Sequence, residues 1–142
     1  MKKKILFFVL IGVLITFFVG TSMFFVLQGF LATNKEHAYF DVYRAQAEEY
    51  IKSSPEILEK YQDGISVKFD NSVTYQRNTK QTLIDKFVYI FSPDVPETIE
   101  EFSANIKMIK FNTRINGDAY EVIFEKNDNG ELYVSRLTPV VK

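Results

Sequence analysis

The sequence predicts an α+β protein, with an N-terminal transmembrane helix followed by two helices packed on an antiparallel sheet of about five strands. Three observations carry this expectation. An uncharged apolar run follows three lysines, two segments of helical period come next, and alternating segments separated by turn residues complete the chain. At 142 residues the chain is one domain, and the body after the apolar run is long enough for one modest core. Residues 1–31 read as a Lys-rich cytoplasmic start and anchor, and residues 32–142 as one extracytoplasmic domain.

The anchor comes first. Lys2, Lys3 and Lys4 precede Ile5–Leu27, twenty-three residues whose only polar side chains are Thr16, Thr21 and Ser22. A helix rises ~1.5 Å per residue, so about 20 such residues cross a ~30 Å hydrocarbon core. Membrane lipid is therefore an expected partner. It would meet Ile5, Leu6, Phe7, Phe8, Val9 and Leu10 in the first turns, then Phe17, Phe18, Phe24, Phe25, Val26 and Leu27. Beyond the run Lys35 is balanced by Glu36, so the lysine bias keeps the amino terminus cytoplasmic and the body outside the cell membrane. A cleaved signal peptide is the rival. It needs an apolar region of ~7–15 residues and a small-x-small exit. This run is longer, and bulky Phe30 stands two places before Ala32. The span reads as an uncleaved, single-pass signal anchor. Gly12 and Gly20 are eight apart and form no Gly-x-x-x-Gly pair, so no dimerising face is indicated.

Charge and cysteine content exclude several classes. The chain carries 17 basic and 18 acidic residues, and from Thr33 onward the balance is 14 to 18. A body of net −4 argues against nucleic acid and against polybasic docking on anionic lipid. With no cysteine, disulfides, thiolate metal sites and cysteine nucleophiles are excluded. An exported domain without disulfides suits bacteria whose surface proteins fold without oxidative help.

Elements of the body follow in order. Asn34–Lys52 reads as a helix with Tyr39, Val42, Tyr43, Gln46, Ala47, Tyr50 and Ile51 inward, capped by Thr33 or Asn34. Ser54-Pro55-Glu56 opens a second helix to Tyr61, with Ile57, Leu58 and Tyr61 inward and Asp63-Gly64 as its end. Ile65, Val67 and Phe69 alternate as a strand. Asp70-Asn71 then reads as a tight turn into a returning strand at Val73 and Tyr75. Thr82–Phe91 fits either a helical face or a strand, with strand composition in its second half. Glu97–Phe102 fits one helical turn. Three strands close the chain, about Asn105–Ile115, Ala119–Lys126 and Glu131–Val140, joined by Asn116-Gly117 and Asn127–Gly130.

The search for chemistry returns little. His37 has no spaced partner and reads as a solvent-facing side chain. Asn127-Asp128-Asn129-Gly130-Glu131 looks superficially like a calcium loop, yet Glu125 occupies its first position and Arg136 its last, so a hairpin turn is the better account. Asp118 and Glu121 could pair as acid and base, but read as solvated hairpin charges. Glu97, Glu100 and Glu101 read as a solvated face. No catalytic residue, metal site or cofactor is expected. The many body aromatics read mainly as core, with a surplus available for a ligand cavity or a partner face.

Two stretches carry a resemblance. Tyr43-Arg44-Ala45-Gln46-Ala47-Glu48-Glu49-Tyr50-Ile51 followed by Ser53-Ser54-Pro55-Glu56-Ile57-Leu58-Glu59-Lys60 forms the first. Asn116–Val122 with Gly130–Leu137 forms the second. Together they resemble the membrane-anchored cytochrome c oxidase assembly factor one family, whose fold relates it to a subunit of the mitochondrial inner-membrane presequence translocase. Tyr133 stands where relatives often carry Trp. The resemblance implies a single-pass anchor and a small α+β domain acting as a non-catalytic accessory that binds a membrane or envelope protein. Tyr120-Glu121-Val122 and Asn129-Gly130-Glu131 are also similar to the PepSY module, which binds or restrains peptidases. Cystatin-like and nuclear-transport-factor-like domains share the order of helices before a curved sheet, and would offer a small-ligand or lipid pocket.

Overall fold

A computed structural model of the chain describes residues 2–78, 82–84 and 95–141. They fall in two compact units, Met1–Lys35 with Gln81–Val95, and Glu36–Lys80 with Pro96–Lys142. The fold is α+β, and among the described residues the sheet has four strands.

Helix α1 (Lys2–Ser53) belongs to the first unit as far as Lys35. In that stretch Ile5–Leu10, Phe17, Phe18, Phe24, Phe25, Val26 and Leu27 are all exposed. Its hydroxyls close back on their own helix, Thr16 donating to the Gly12 carbonyl at 2.8 Å and Ser22 to that of Phe18 at 2.8 Å. No hydroxyl proton is left for an apolar medium to accommodate. The helix is long and apolar enough to serve as a membrane anchor or a signal sequence.

The expected cap near Thr33 does not form. The Thr33 hydroxyl donates to the Gly29 carbonyl at 2.9 Å, and the backbone stays helical through Asn34. A capping residue ends a helix only where the chain turns away.

In the second unit the buried stripe of α1 is Phe40, Tyr43, Ala47 and Ile51. Val42, Gln46 and Tyr50, expected inward, are exposed. Tyr43, Ala47 and Ile51 were expected inward and are buried, and Phe40 joins them in place of the exposed three; both sets obey three-and-four spacing, so periodicity alone does not set the edge of the stripe. Helix α2 (Pro55–Lys60) has Ser54 at its N-cap without a side-chain cap bond and buries Ile57. Leu58, also expected inward, is 49% exposed.

Strand β1 (Val67–Arg77) is one strand where a hairpin was expected. Asp70-Asn71 makes no turn. Its register against the next strand slips between Phe69 and Val73, so Asp70–Ser72 form a bulge. Helix α3 (Ile99–Asn105) is about two turns, longer than the single turn expected, and buries Phe102. Thr98 caps it by accepting from the Glu101 amide at 3.2 Å, while the Glu101 carboxylate accepts from the Glu97 amide at 3.0 Å. Those acidic residues therefore belong to a capping arrangement.

Strands β2 (Ile106–Ile115), β3 (Asp118–Lys126) and β4 (Leu132–Pro139) follow closely the segments expected. The sheet is antiparallel throughout in the order β1-β2-β3-β4. Asn116 at φ 49° and Gly117 at φ 94° make the tight β2–β3 turn. The expected fifth strand at residues 87–91 lies outside the described residues, and the two halves expected of residues 65–75 are one strand. This leaves four strands where about five were expected.

Among the described residues of this unit, three helical segments, not two, pack on one face of the sheet. Phe40 meets Phe102 edge-on at 5.2 Å, Tyr43 meets Phe124 at 5.5 Å, and Phe111 meets Phe124 at 5.9 Å. Each fully buried ring removes enough apolar surface to contribute about 1.5–3 kcal/mol.

Candidate functional site

Side chains alternate across a sheet, so helices covering one face leave the other to solvent. In β2 the inward set is Ile109, Phe111, Thr113 and Ile115, all 2% exposed or less. Met108, Lys110, Asn112 and Arg114 therefore point to the opposite, solvent face. The register brings Thr74, Ile123 and Arg136 into one row with Lys110, and Lys68 and Ala119 into one row with Arg114.

Two of the charges on this face are neutralised within it. Lys110 Nζ lies 3.0 Å from Glu121 Oε1, and an Arg136 guanidinium nitrogen lies 3.5 Å from Glu125 Oε1. Two are not. Lys68 and Arg114 are direct cross-strand partners, both exposed, and neither has an ion pair among the described residues. Opposed residues in a ladder have Cβ atoms ~4.5–5.5 Å apart, a placement at which like charges destabilise the pair. Asp70 lies two residues along β1 from Lys68, inside the slip in register.

Charge is segregated between the layers. The four strands hold seven basic and four acidic residues. The helical segments of the same unit, from Glu36 to Ser53 and in α2 and α3, hold three basic and eight acidic ones.

A second polar cluster ties α2 to the start of β3. Lys60 Nζ lies 2.9 Å from Asp118 Oδ2 and donates to the Tyr120 hydroxyl at 2.9 Å. The Tyr61 hydroxyl donates to the same carboxylate oxygen at 2.5 Å. Hydrogen bonds from both donors hold the Asp118 carboxyl below its usual range, Tyr61's first. The Tyr120, Tyr61 and Asp118 oxygens hold the Lys60 ammonium proton, raising its pKa. Partial burial, with Asp118 and Tyr120 beside it, pushes the Tyr61 phenol up to about 12. Each group is thus held in its ordinary neutral-pH form. This cluster is a clamp.

Other sequence candidates resolve in the same geometry. Asp118 and Glu121 lie on opposite faces of β3, Asp118 held by Lys60 and Glu121 by Lys110, so they do not come together. His37 is exposed on α1. The Asn127 side-chain oxygen accepts from the Asn129 amide at 3.0 Å and the Glu131 amide at 2.9 Å, closing the β3–β4 hairpin turn. Asn116 does more than turn the chain. It donates through its side chain to the Gly64 carbonyl at 2.8 Å and accepts from the Ser66 amide at 2.7 Å, fastening the approach to β1.

Of the body aromatics, Phe40, Tyr43, Phe102, Phe111, Tyr120 and Phe124 are buried. Tyr133 is half exposed beside Glu125 on the solvent face of the sheet. An open depression on the outer side of α1 is lined by Ala45, Glu48, Glu49, Lys52 and Ser53, with no aromatic.

No family model, curated protein or solved structure matches this chain. The functional reading therefore rests on the surface itself. Sequence reasoning missed the Lys68–Arg114 pair because forty-five residues separate them in the chain. Only the β1–β2 register brings them together.

Proposed function

We propose that this chain is a single-pass, membrane-anchored accessory or assembly factor, without catalysis, whose folded domain binds a membrane or envelope protein. Residues 5–27 are the anchor, Lys2, Lys3 and Lys4 hold the amino terminus in the cytoplasm, and the domain works on the outer side of the cell membrane. The observation that carries the binding reading is the solvent face of the sheet. It joins two unneutralised cations to half-buried Met108 and Ile123 and exposed Tyr133, a mixture suited to a protein surface. The resemblance to membrane-anchored assembly factors agrees with this role.

Photocrosslinking of the full-length chain in its own membrane tests the reading, with photoreactive residues at several exposed positions of the body. A discrete membrane-protein adduct is the expected product. Capture of lipid or small molecules alone, at positions flanked by aromatics, would replace the accessory reading with that of a pocket protein.

A further inference from the structure

We infer that the docking site is the solvent face of the sheet at its Lys68–Arg114 end, and that the segment it receives is acidic protein. This rests on the accessory reading above and narrows it to one face and one partner chemistry.

The first argument is energetic. Directly opposed cations on neighbouring strands oppose folding, and nothing among the described residues offsets this pair. Two rows away on the same face the fold supplies an acid to each cation, Glu121 to Lys110 and Glu125 to Arg136. The Lys68–Arg114 end is therefore the part of this face left for an external carboxylate to neutralise. A guanidinium presents a bidentate fork and an ammonium a compact charge, so neighbouring acidic side chains of one segment would satisfy both.

The edges of the sheet are poorer sites. The β1 edge is broken by the bulge at Asp70–Ser72. On β4 the register slips between Val134 and Arg136, leaving short runs on either side, and Pro139 ends the strand. Bulges and proline are devices that discourage strand addition.

Three occupants compete for the face. An anionic lipid surface is uniformly negative, and Asp70, Glu121 and Glu125 lie among the cations it would have to meet. A second copy would have to offer its acidic helical layer. Helices and solvent face lie on opposite sides of the sheet, so that contact is head-to-tail and builds a ring or a filament, never a two-fold dimer. An acidic segment of another protein matches the two cations without either penalty.

The test places a benzophenone side chain at Thr74, on the solvent face, or at Gln46, on the exposed side of α1, in the full-length chain in its own membrane. The Thr74 position is expected to yield a protein adduct whose crosslinked peptide is acidic. Reversal of both cations (Lys68→Glu with Arg114→Glu) is expected to cut that yield at least tenfold, and neutralising both to alanine should do the same. The swap Lys68→Arg with Arg114→Lys should retain it. A helix-side change of equal size in net charge, Glu56→Lys with Glu59→Lys, should leave it within twofold. A protein adduct from Gln46 but not Thr74 would leave the accessory reading standing and overturn this site. Lipid adducts at Thr74, or a yield indifferent to the reversal, would overturn it too. No protein adduct from either position would remove both readings.

Discussion

Up to Lys35, α1 turns Phe8, Phe17 and Phe18 outward, each 70–73% exposed; from Glu36 onward, Phe40 and Tyr43 in the same helix are 5% exposed. The backbone conformation is common to both stretches, and so is a high content of large apolar side chains. What differs is the surroundings each is built for. The first has apolar residues on every side and hydroxyls closed on its own carbonyls, which suits a medium without water. The second confines its apolar residues largely to one side, which suits a sheet. Helical propensity therefore says little about the role of a helix. The distribution of apolar residues around it says more.

The sharpest way to break this comparison is to remove a ring from each environment. Phe111→Ala empties a fully buried site against Phe69 and Phe124, and is expected to cost about 3–5 kcal/mol in chemical denaturation of the domain. Truncating exposed Phe18 should leave that unfolding unchanged. Equal losses from the two would mean that the outward rings also support the folded domain.

A charge probes the other side. Leu14→Arg places a cation in the middle of the apolar stretch, and should make insertion less favourable by about 3 kcal/mol in a membrane-integration assay. The domain's unfolding curve should not move. Undiminished integration would remove the anchor reading.

Smaller changes sharpen the view of the domain. Thr98→Ala deletes the cap of α3 and is expected to cost about 1 kcal/mol by thermal unfolding. Lys68→Glu turns a like-charge cross-strand pair into an opposite-charge one, and should raise stability by about 0.5 kcal/mol. A residue whose replacement stabilises the fold while weakening partner capture is kept for binding. A fall in stability would mean that the lysine contributes to folding.

The smallest effect concerns alkaline pH, because the groups are exposed and screened. The Tyr61 phenol keeps its proton up to about 12 when folded and loses it near 10 when unfolded. In that window the folded state binds more protons, so its contribution is present below pH 10 and is lost as pH rises toward 12. Tyr61→Phe should flatten the fall in stability over those two units. Asp118 gives the mirror case. Its depressed pKa adds stability above the unfolded carboxyl value, lost as pH drops below it.

Local signals were readable where they governed local structure. Asn116-Gly117 marked a turn because both residues need positive φ, and the alternation Tyr120, Val122, Phe124 marked the core face of β3. The Thr98-x-x-Glu101 capping signal is also local, but its acidic neighbours give the segment the pattern of a solvated face. Asp70-Asn71 misled for the opposite reason. It has turn chemistry, yet pairing with β2 on both sides keeps the chain extended and turns the surplus residues into a bulge.

By itself, then, the sequence determined the apolar span, the segments that form β2, β3 and β4, and the closing hairpins. Each of these follows from residues that are close neighbours along the chain. Tertiary structure decided that Phe40, and not Val42, Gln46 and Tyr50, completes the buried stripe of α1, that residues 67–77 are one strand, and that Lys68 faces Arg114. Those outcomes depend on strand register and on which surfaces meet. Both are fixed by packing between segments far apart in the chain, where no local pattern records the partner.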